Sequence, residues 1–400
     1  ACRRIEHGTM CPSYMVTREE HHSTRGRARL LFEMMQGEVL GDGWRSEAVR
    51  EALDLCLACK GCKTECPVNV DMATYKAEFL SHYYKGRIRP RVAYATGLIY
   101  WWARMVAPVA PLANFLGSTP PFSAALKALA GFAPERRLPR FASPTLVRSF
   151  RKQQHGASRK RVLLWPDTFT NYFRPQAGQA AVEVLEHAGY QVEIPPRPLC
   201  CGRPLYDWGM LRTAKRLWRQ TLQTLEPVIR DGIPVVGLEP SCVAAFRDEL
   251  PGLFPDDKGA TQLSRQTVLL SEFLESAGFE PPLLRAKAIV HGHCHHKTVL
   301  KFTAEAALLR KLALDYELLD SGCCGMAGGF GFEKEKYAIS TRLAERVLLP
   351  AVRAAAPDTL LVADGFSCRE QIAQLAGRDA VHLAEVLRMA IRQGVANREE

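Results

Sequence analysis

The 400-residue sequence lacks several signatures that would place it in a common functional class. It contains neither a Gly-rich dinucleotide fingerprint nor a Gly-Lys-Ser/Thr phosphate loop, so nucleotide binding has no local signal. No zinc-finger, RNA-recognition or helix-turn-helix pattern supports nucleic-acid binding. An uninterrupted run of about 20 apolar residues, which a membrane-spanning helix needs, is also missing. These absences leave the cysteines as the most informative residues.

The densest motif is Cys56-Leu-Ala-Cys59-Lys-Gly-Cys62-Lys-Thr-Glu-Cys66-Pro67, a C-x2-C-x2-C-x3-C-P pattern. Four soft thiolates at this spacing suit a cubane [4Fe–4S] cluster. A zinc site would show two C-x2-C pairs separated by a longer insert, and cysteines this close cannot pair as disulfides without strain. The sequence therefore predicts iron–sulfur ligands at Cys56, Cys59, Cys62 and Cys66.

The chain has 13 cysteines in all, and most of them occur in short motifs. An odd number of clustered cysteines argues against a pure disulfide framework. The opening residues show no signal-peptide pattern, and iron–sulfur thiolates require a reducing compartment. We therefore expect a cytoplasmic protein.

Two cysteines upstream of the motif, Cys2 and Cys11, extend the prediction. In two-cluster ferredoxins, the Cys-Pro cysteine of each run binds the cluster of the other run. By that rule, Cys11 joins the first three motif cysteines in one cluster. Cys66 and Cys2 then belong to a second cluster whose remaining ligands precede Ala1. Because the chain begins without methionine and close to a motif cysteine, we expect it to be the C-terminal part of a longer polypeptide.

A basic segment, His22-Ser-Thr-Arg-Gly-Arg-Ala-Arg29, separates Cys11 from the main motif. Ser23 or Thr24 can cap a helix that starts there. Two interpretations are open for Arg25 and Arg27. They either form a solvated helix start or stabilise an anionic cluster.

The net charge of +11 is spread unevenly, with basic residues collected at 85–91 and 136–161. Such patches attract an anionic membrane surface, an acidic redox partner or nucleic acid, and they also occur in solvated linkers. Residues 134–160 are rich in Pro, Arg, Lys and Ser without an apolar period, which is typical of a linker.

Residues 92–133 are apolar but are interrupted by Arg104, Pro108 and Pro111. We expect packing helices between domains there. A contact of Trp101 and Trp102 with a membrane surface, on the side of a quinone acceptor, is the alternative. It would make the protein peripheral on the inner face of the membrane.

From residue 161 onward the chain repeats one order of elements. Each half presents a strand, a helix, a second strand, a Cys-Cys-Gly motif, a long helix, a third strand and a further cysteine. The long helices are expected at 211–230 and 336–353. Alternating strands and helices indicate parallel α/β units, whose sites lie at strand ends. The predicted strands are 162–164, 191–194, 235–238, 288–290, 317–319 and 360–362.

The expected fold class is therefore α+β, a helical ferredoxin-like domain followed by two repeated α/β domains with parallel sheets. The predicted units are a ferredoxin-type 4Fe–4S domain at 1–91, apolar packing helices at 92–133, a basic linker at 134–160, and cysteine-rich α/β domains at 161–282 and 283–400.

The second repeat offers four thiols from three loops, which suffice for a further iron–sulfur cluster or a zinc ion. Glycines around the Cys-Cys pair let the backbone approach such a centre closely. Four nearby histidines can either ligate zinc or surround the centre. The thiols belong to Cys294, Cys323, Cys324 and Cys368, and the histidines are His291, His293, His295 and His296.

The first repeat is poorer in cysteine. It has Asp167-Thr168 where the second repeat has Cys294. Its three thiols are one short of four and are not expected to complete a metal centre alone. They belong to Cys200, Cys201 and Cys242.

The N-terminal residues resemble the iron–sulfur half of FAD-linked D-2-hydroxyacid dehydrogenases, of the D-lactate and D-2-hydroxyglutarate types. The residues that carry this resemblance are Arg3-Arg-Ile5, Gly8-Thr-Met-Cys-Pro-Ser-Tyr14 and the segment 22–29. The paired Cys-Cys-Gly repeats resemble the cysteine-rich domain found in the B subunit of heterodisulfide reductases. The same repeats occur in glycolate oxidase iron–sulfur subunits and in the C subunit of anaerobic glycerol-3-phosphate dehydrogenases.

This resemblance implies an oxidoreductase module that transfers electrons. They would pass from FAD, held by a missing N-terminal region or a separate subunit, through 4Fe–4S clusters to a quinone, a cytochrome or another carrier. The fuller cysteine-rich pattern has a further cysteine where this chain has Ala245 and Gln371, so a five-thiolate non-cubane cluster is not implied. The ligands implied residue by residue are Cys2, Cys11, Cys56, Cys59, Cys62, Cys66, Cys294, Cys323, Cys324 and Cys368, with a partial match at Cys200, Cys201 and Cys242.

Two other functions stay open at this stage. The chain could be a subunit of a heterodisulfide-reductase-like or glycerol-3-phosphate dehydrogenase complex, with redox chemistry at the Cys323-Cys324 centre. It could also be a binding scaffold stabilised by zinc. The sequence assigns no catalytic residue and no flavin-binding loop.

Overall fold

The computed structural model describes residues 2–153 and 160–399. Its N-terminal part is helical, and polar side chains begin three of the helices. Ser23 Oγ accepts the backbone N–H of Gly26, which confirms the predicted cap, and Ser46 and Asp71 do the same for later helices. The helices are α1 (Pro12–Thr17), α2 (Thr24–Gln36), α3 (Glu47–Asp54), α4 (Gly61–Glu65) and α5 (Met72–Tyr83).

Four further helices form the apolar segment, and prolines separate or begin most of them. They are α6 (Arg91–Gly97), α7 (Ile99–Val106), α8 (Ala110–Ser118) and α9 (Pro120–Ala130). Their inner side chains pack on the rest of the protein, but many outer ones remain in solvent, including Phe115 and Leu129. Among the described residues, no helix combines the length and the apolar character needed to cross a membrane.

The basic segment that follows packs closely on both repeats. The Arg136 side chain is buried and donates hydrogen bonds to the Gly331 carbonyl at 2.7 Å and to Ser340 Oγ at 2.9 Å. Leu146 lies in α10 (Leu146–Phe150) and is buried as well. Residues 154–159 of the predicted linker lie outside the described part of the chain.

The first repeat contains a four-stranded parallel sheet in the order β2-β1-β3-β4. The expected helix 211–230 is divided at Leu225, because Pro227 cannot continue the helical hydrogen bonds. The elements are β1 (Arg161–Trp165), α11 (Thr168–Tyr172), α12 (Pro175–His187), β2 (Gln191–Glu193), α13 (Arg203–Asp207), α14 (Leu211–Thr224), α15 (Glu226–Arg230), β3 (Val235–Gly237), α16 (Pro240–Ala244), α17 (Leu250–Leu253), α18 (Lys258–Gln266), β4 (Thr267–Leu269) and α19 (Leu270–Ser276).

The second repeat has a three-stranded parallel sheet in the order β6-β5-β7. The expected helix 336–353 is also divided, just before Pro350. The elements are β5 (Lys287–Val290), α20 (Thr303–Lys311), β6 (Asp315–Leu318), α21 (Tyr337–Ala344), α22 (Leu348–Ala354), β7 (Leu360–Val362), α23 (Phe366–Leu375) and α24 (Leu383–Glu399).

One apolar core joins the two repeats. It contains Val162 and Leu164 of β1 together with Val290 of β5 and Val362 of β7. Helix α12 packs against α24 across this junction. The predicted α+β architecture with repeated parallel sheets is confirmed. The loops after β3 and β7 also meet, because the Glu239 carboxylate accepts the Phe366 backbone N–H at 2.8 Å.

Candidate iron–sulfur and thiol sites

The motif cysteines lie in a tight loop between α3 and α5. Ala58 and Lys60 adopt left-handed backbone conformations, with φ of 51° and 58°. Gly61 allows the loop to approach the Cys11 segment, because a Cβ atom there would lie 2.8 Å from the Met10 backbone nitrogen. The loop is thereby held against the upstream cysteine.

Cys11 is oriented by the first turn of α2. Its Sγ accepts the Thr24 backbone N–H at 2.9 Å and contacts Thr24 Oγ1 at 2.8 Å. Burial raises the pKa of the Cys11 thiol, and Thr24 and the Arg27 charge partly offset this effect. Arg27 is buried near the cysteines, whereas Arg25 is exposed. Of Arg25 and Arg27, only Arg27 is therefore placed to stabilise an anionic cluster at these thiols.

Four thiols meet inside the N-terminal unit. Cys11, Cys56 and Cys62 share one buried group of side chains. Cys59 interacts with Cys62 and Cys56 from the neighbouring side. Burial, together with the nearby Cys56 and Cys11, raises the pKa of the Cys62 thiol to about 12. The structure brings together the four cysteines predicted for one cluster, and their role as ligands remains a prediction.

Cys2 and Cys66, which were predicted for a second cluster, are only partly buried. Both pack at the edge of the same group of side chains. The neighbouring Glu65 carboxylate accepts the Thr9 backbone N–H at 2.6 Å, which ties the end of the motif to the upstream segment. Their role in a second cluster is a prediction.

Cys59 is also the point where the N-terminal unit meets the second repeat. Its side chain packs in one buried group with Cys294 and Cys323. The Thr298 hydroxyl donates to the Cys294 carbonyl at 2.9 Å and approaches the Cys59 carbonyl at 3.3 Å. Two regions separated by more than 200 residues in sequence therefore form one group of thiols.

The four thiols of the second repeat come together at the carboxyl edge of its sheet. Cys294 follows β5, Cys323 and Cys324 follow β6, and Cys368 lies in α23 after β7. Their side chains interact in the order Cys294–Cys323–Cys324–Cys368. The Sγ atoms of Cys324 and Cys368 lie within 4.8 Å of each other and of a ring nitrogen of His291. All four thiols are buried, an arrangement that can hold a metal centre.

Two glycines allow this convergence. Gly325 has a φ of 84°, and a Cβ atom there would lie 2.4 Å from the Ser340 carbonyl oxygen. A Cβ atom on Gly365 would lie 2.3 Å from the His293 ring and 3.2 Å from the Cys368 Sγ. Side chains at either position would displace groups that line the thiols.

The four histidines have different surroundings. His291 Nδ1 lies 2.6 Å from Ser321 Oγ, and His293 Nδ1 lies 4.0 Å from the Cys294 Sγ. Burial alone would lower the pKa of His293, but the Cys294 thiolate and Glu239 raise it to about 9. One ring nitrogen of His295 lies within 4.8 Å of the Cys294 Sγ, whereas the His296 ring contacts other groups, described below. Three of the four histidines therefore lie against the thiols.

The first repeat gathers three thiols, those of Cys200, Cys201 and Cys242. The Sγ atoms of Cys242 and Cys201 lie 2.9 Å apart, and Cys200 interacts with Thr168. Asp167 faces Cys242, and burial together with Glu239 raises the pKa of Asp167 to about 6. The three thiols of the first repeat therefore have a carboxyl, from Asp167, and a hydroxyl, from Thr168, as polar neighbours.

A buried ionic network that the sequence did not indicate fixes the motif loop to the first repeat. The Lys60 side chain is 1% exposed, and its Nζ lies 3.0 Å from Asp71 Oδ2 and 3.1 Å from Glu249 Oε1. It also donates to Asp248. Burial alone would lower the pKa of Lys60, but Glu249 and Asp71 raise it above its ordinary value. The lysine is therefore charged.

Arg203 extends this network to the second repeat. Its guanidinium pairs with Glu249 and donates to the Ala58 carbonyl at 3.0 Å, and its Nη2 lies 2.9 Å from His295 Nε2. One side chain thereby contacts the motif loop, the first repeat and the second repeat. The thiol groups are held at fixed relative positions.

Two family models match the chain. A 4Fe-4S dicluster domain matches residues 1–70, and a cysteine-rich domain matches residues 167–247 and 290–373. The two cysteine-rich matches coincide with the two repeats. They contain all seven cysteines of the second part of the chain.

The curated relatives include two kinds of dehydrogenase and a lactate utilization protein. D-2-hydroxyglutarate dehydrogenase from Escherichia coli K12 is 26% identical over 94% of this chain and 41% of its own length. The C subunit of anaerobic glycerol-3-phosphate dehydrogenase from the same organism is 30% identical over 71% of the chain and 73% of its own length. Lactate utilization protein A from Bacillus licheniformis is 30% identical over 57% of the chain and 98% of that protein. The chain thus spans 41% of the length of the hydroxyglutarate dehydrogenases that it matches.

Proposed function

Because the chain belongs to the family of iron–sulfur oxidoreductase proteins with paired cysteine-rich domains, we propose that it is the electron-transfer module of a flavin-linked D-2-hydroxyacid dehydrogenase. The substrate class is D-2-hydroxyglutarate or D-lactate. The alignment with D-2-hydroxyglutarate dehydrogenases over 94% of the chain supports this choice. FAD and the hydroxyacid would bind to a further domain or a partner flavoprotein.

The observation that carries the proposal is the packing of Cys59 against Cys294 and Cys323. It makes the two thiol groups neighbours, so that an electron carrier held by one would lie beside a carrier held by the other. Iron–sulfur clusters, when bound, supply one-electron transfer at such thiolates. The protein's own part is to fix the thiols in place, through Arg203 and Lys60, and to exclude water from them.

Two of the donor sets fit such groups, because each of the two gathers four buried thiols in one place. The first proposed 4Fe–4S cluster uses Cys11, Cys56, Cys59 and Cys62. Cys2 and Cys66 would contribute to a second one. A further cluster or a zinc ion would use Cys294, Cys323, Cys324 and Cys368, while Cys200, Cys201 and Cys242 are a structural remnant of the same pattern.

Burial favours this role over direct disulfide chemistry at the Cys323-Cys324 centre. Both thiols are 4% exposed, and a disulfide substrate would have to reach them. Electrons can instead leave through the protein to a quinone, a cytochrome or another carrier. The closed centre therefore supports electron relay.

A deletion strain tests the substrate class. Cells without the gene are expected to accumulate D-2-hydroxyglutarate or D-lactate, measured by mass spectrometry, because their oxidation would lose its electron outlet. A plasmid with the wild-type gene should restore the normal level, and a Cys59→Ser plasmid should not. Unchanged levels of both acids, or full restoration by the variant, would contradict the proposal.

We also propose that the exposed side of α7, α8 and α9 contacts an anionic membrane surface, where a quinone acceptor would reside. Phe115 is 63% exposed and Leu129 is 69% exposed, and both project from the apolar helices. The basic segment 85–91 leads into α6, the helix before α7, and its Lys85 and Arg87 are exposed. Apolar side chains and cations together suit a phospholipid surface.

This surface gives a salt-dependent prediction. The protein should sediment with vesicles that contain anionic lipid and should be released by about 0.5 M salt, because salt screens the cationic contribution. Phe115→Glu should reduce the bound fraction several-fold. Val395→Glu makes the same kind of change at an exposed site on α24 and serves as the control. Equal recovery of the wild type in the supernatant at low salt would contradict the membrane contact.

A further inference from the structure

A second group of metal-binding side chains lies close to the thiols of the second repeat but uses no cysteine. His296 begins a π-helical turn after β5, Glu305 lies in α20, and Asp364 follows β7. One ligand atom from each lies within 4.8 Å of the other two. The three residues are 0%, 2% and 6% exposed. They join three segments of the repeat in its interior.

Two of these side chains lack the hydrogen bonds that burial requires. Among the described residues, neither ring nitrogen of His296 has a hydrogen-bond partner, and neither does Glu305 Oε2. His296 Nδ1 lies 3.2 Å from Glu305 Oε2 without hydrogen-bond alignment. An unsatisfied buried polar group costs about 1–3 kcal/mol. These unpaired atoms lie next to one another, which is the arrangement expected of atoms that bind one ion.

Asp364 is held in position by its neighbours. The Leu383 backbone N–H donates to Asp364 Oδ1 at 3.0 Å. His382 Nδ1 accepts the Ala384 backbone N–H at 2.9 Å, so its proton lies on Nε2. That nitrogen donates to the Leu238 carbonyl at 3.0 Å and faces Asp364 Oδ1 at 3.4 Å. His382 therefore orients the carboxylate, which also faces the Glu305 carboxyl.

We propose that His296, Glu305 and Asp364 bind a divalent metal ion, for which zinc is the probe. Imidazole and carboxylate donors suit zinc, and ligands about 2.0–2.2 Å from one zinc ion lie about 3.3–3.6 Å apart in a tetrahedron. The 3.2 Å separation of the His296 and Glu305 atoms is close to that spacing. The site is independent of the proposed electron-transfer function.

The metal would link the loops that carry two of the nearby thiols. His296 comes two residues after Cys294, and Asp364 comes four residues before Cys368. A cation there would fix both loops and would balance the two buried carboxylates. In the competing arrangement, the carboxyl groups of Glu305 and Asp364 share a proton and no metal ion is bound. Metal analysis distinguishes the two arrangements.

Metal analysis of the intact chain, purified without oxygen, tests the site. We expect about one tightly bound zinc per chain in addition to iron, or one taken up when zinc is added to metal-depleted protein. Glu305→Gln should weaken zinc binding at least about 100-fold, because it removes a direct ligand, whereas loss of a supporting partner alone typically costs 10–100-fold. Glutamine can still donate to Asp364, so the fold should persist. Glu317→Gln, at an exposed position on β6, is the matched control.

The zinc and iron contents of the variants distinguish the possible arrangements. Loss of zinc in Glu305→Gln with unchanged iron and visible absorption supports the site. A wild-type chain that binds no zinc under either condition overturns it and favours the shared proton. Zinc that survives Glu305→Gln but disappears in Cys294→Ser also overturns it, because the ion would then belong to the thiols. Failure of the electron-transfer proposal would instead appear in the iron content.

Discussion

Cys59→Ser is expected to remove one complete cluster, lowering the iron content by about four ions per chain. The serine hydroxyl is a poor ligand for iron, and three thiolates leave the set incomplete. Cluster binding is coupled to folding in small metal domains, so part of residues 1–91 should also unfold. Iron analysis, electron paramagnetic resonance of the reduced protein and limited proteolysis measure the three effects.

Cys66→Ser is the matched control for this variant. It makes the same exchange of sulfur for oxygen, in the same motif, at a partly buried position at the edge of the thiol group. The cross-ligation rule assigns Cys66 to the other cluster, so the resonance signal lost with Cys59 should remain. A wild-type iron content and an unchanged resonance spectrum in Cys59→Ser would contradict the assignment of Cys59 as a ligand. Loss of the same resonance signal in both variants would place Cys66 in the same cluster.

Lys60→Met is expected to destabilise the protein by about 3–5 kcal/mol, because it removes the buried cation that Glu249, Asp248 and Asp71 share. Asp248 and Glu249 would lose this partner, and only Arg203 would remain beside Glu249. Methionine keeps the chain length and carries the same backbone strain at a φ of 58°. The unfolding midpoint, measured by denaturation without oxygen, should fall clearly.

Lys63→Met is the control that removes a lysine charge at a more exposed position. Lys63 contacts the same Asp248, but its side chain is 37% exposed. Solvent-exposed pairs contribute about 0–1 kcal/mol, so this variant should be close to the wild type. Similar small losses in both variants would show that the Lys60 network does not hold the loop on the first repeat.

The sequence predicted the features that depend on local spacing. The order of strands in the repeats follows from short runs such as Val235–Gly237 and Leu360–Val362, bounded by glycine or proline. The Ser23 cap depends on neighbouring residues only. Strand β4 was missed, because its three residues run directly into α19 without a turn signal.

Features that depend on distant contacts could not be predicted in this way. Lys60 and Asp248 are 188 residues apart, and nothing in either segment indicates a buried pair. Arg136 appeared to belong to a solvated linker, yet its partners lie in the second repeat. Glu305 occurs in an ordinary amphipathic helix. Its proximity to His296 becomes visible only when the repeat is folded.

The closed junction around Cys59 sets the order in which the protein can mature. Cys59, Cys294 and Cys323 are 7%, 8% and 4% exposed, and Arg203 spans the motif loop and both repeats beside them. A carrier that delivers iron and sulfide has to touch the receiving thiolates, and it cannot do so once these segments have docked. We therefore expect cofactor loading to precede docking, which would then shield the proposed ligands from oxygen and chelators.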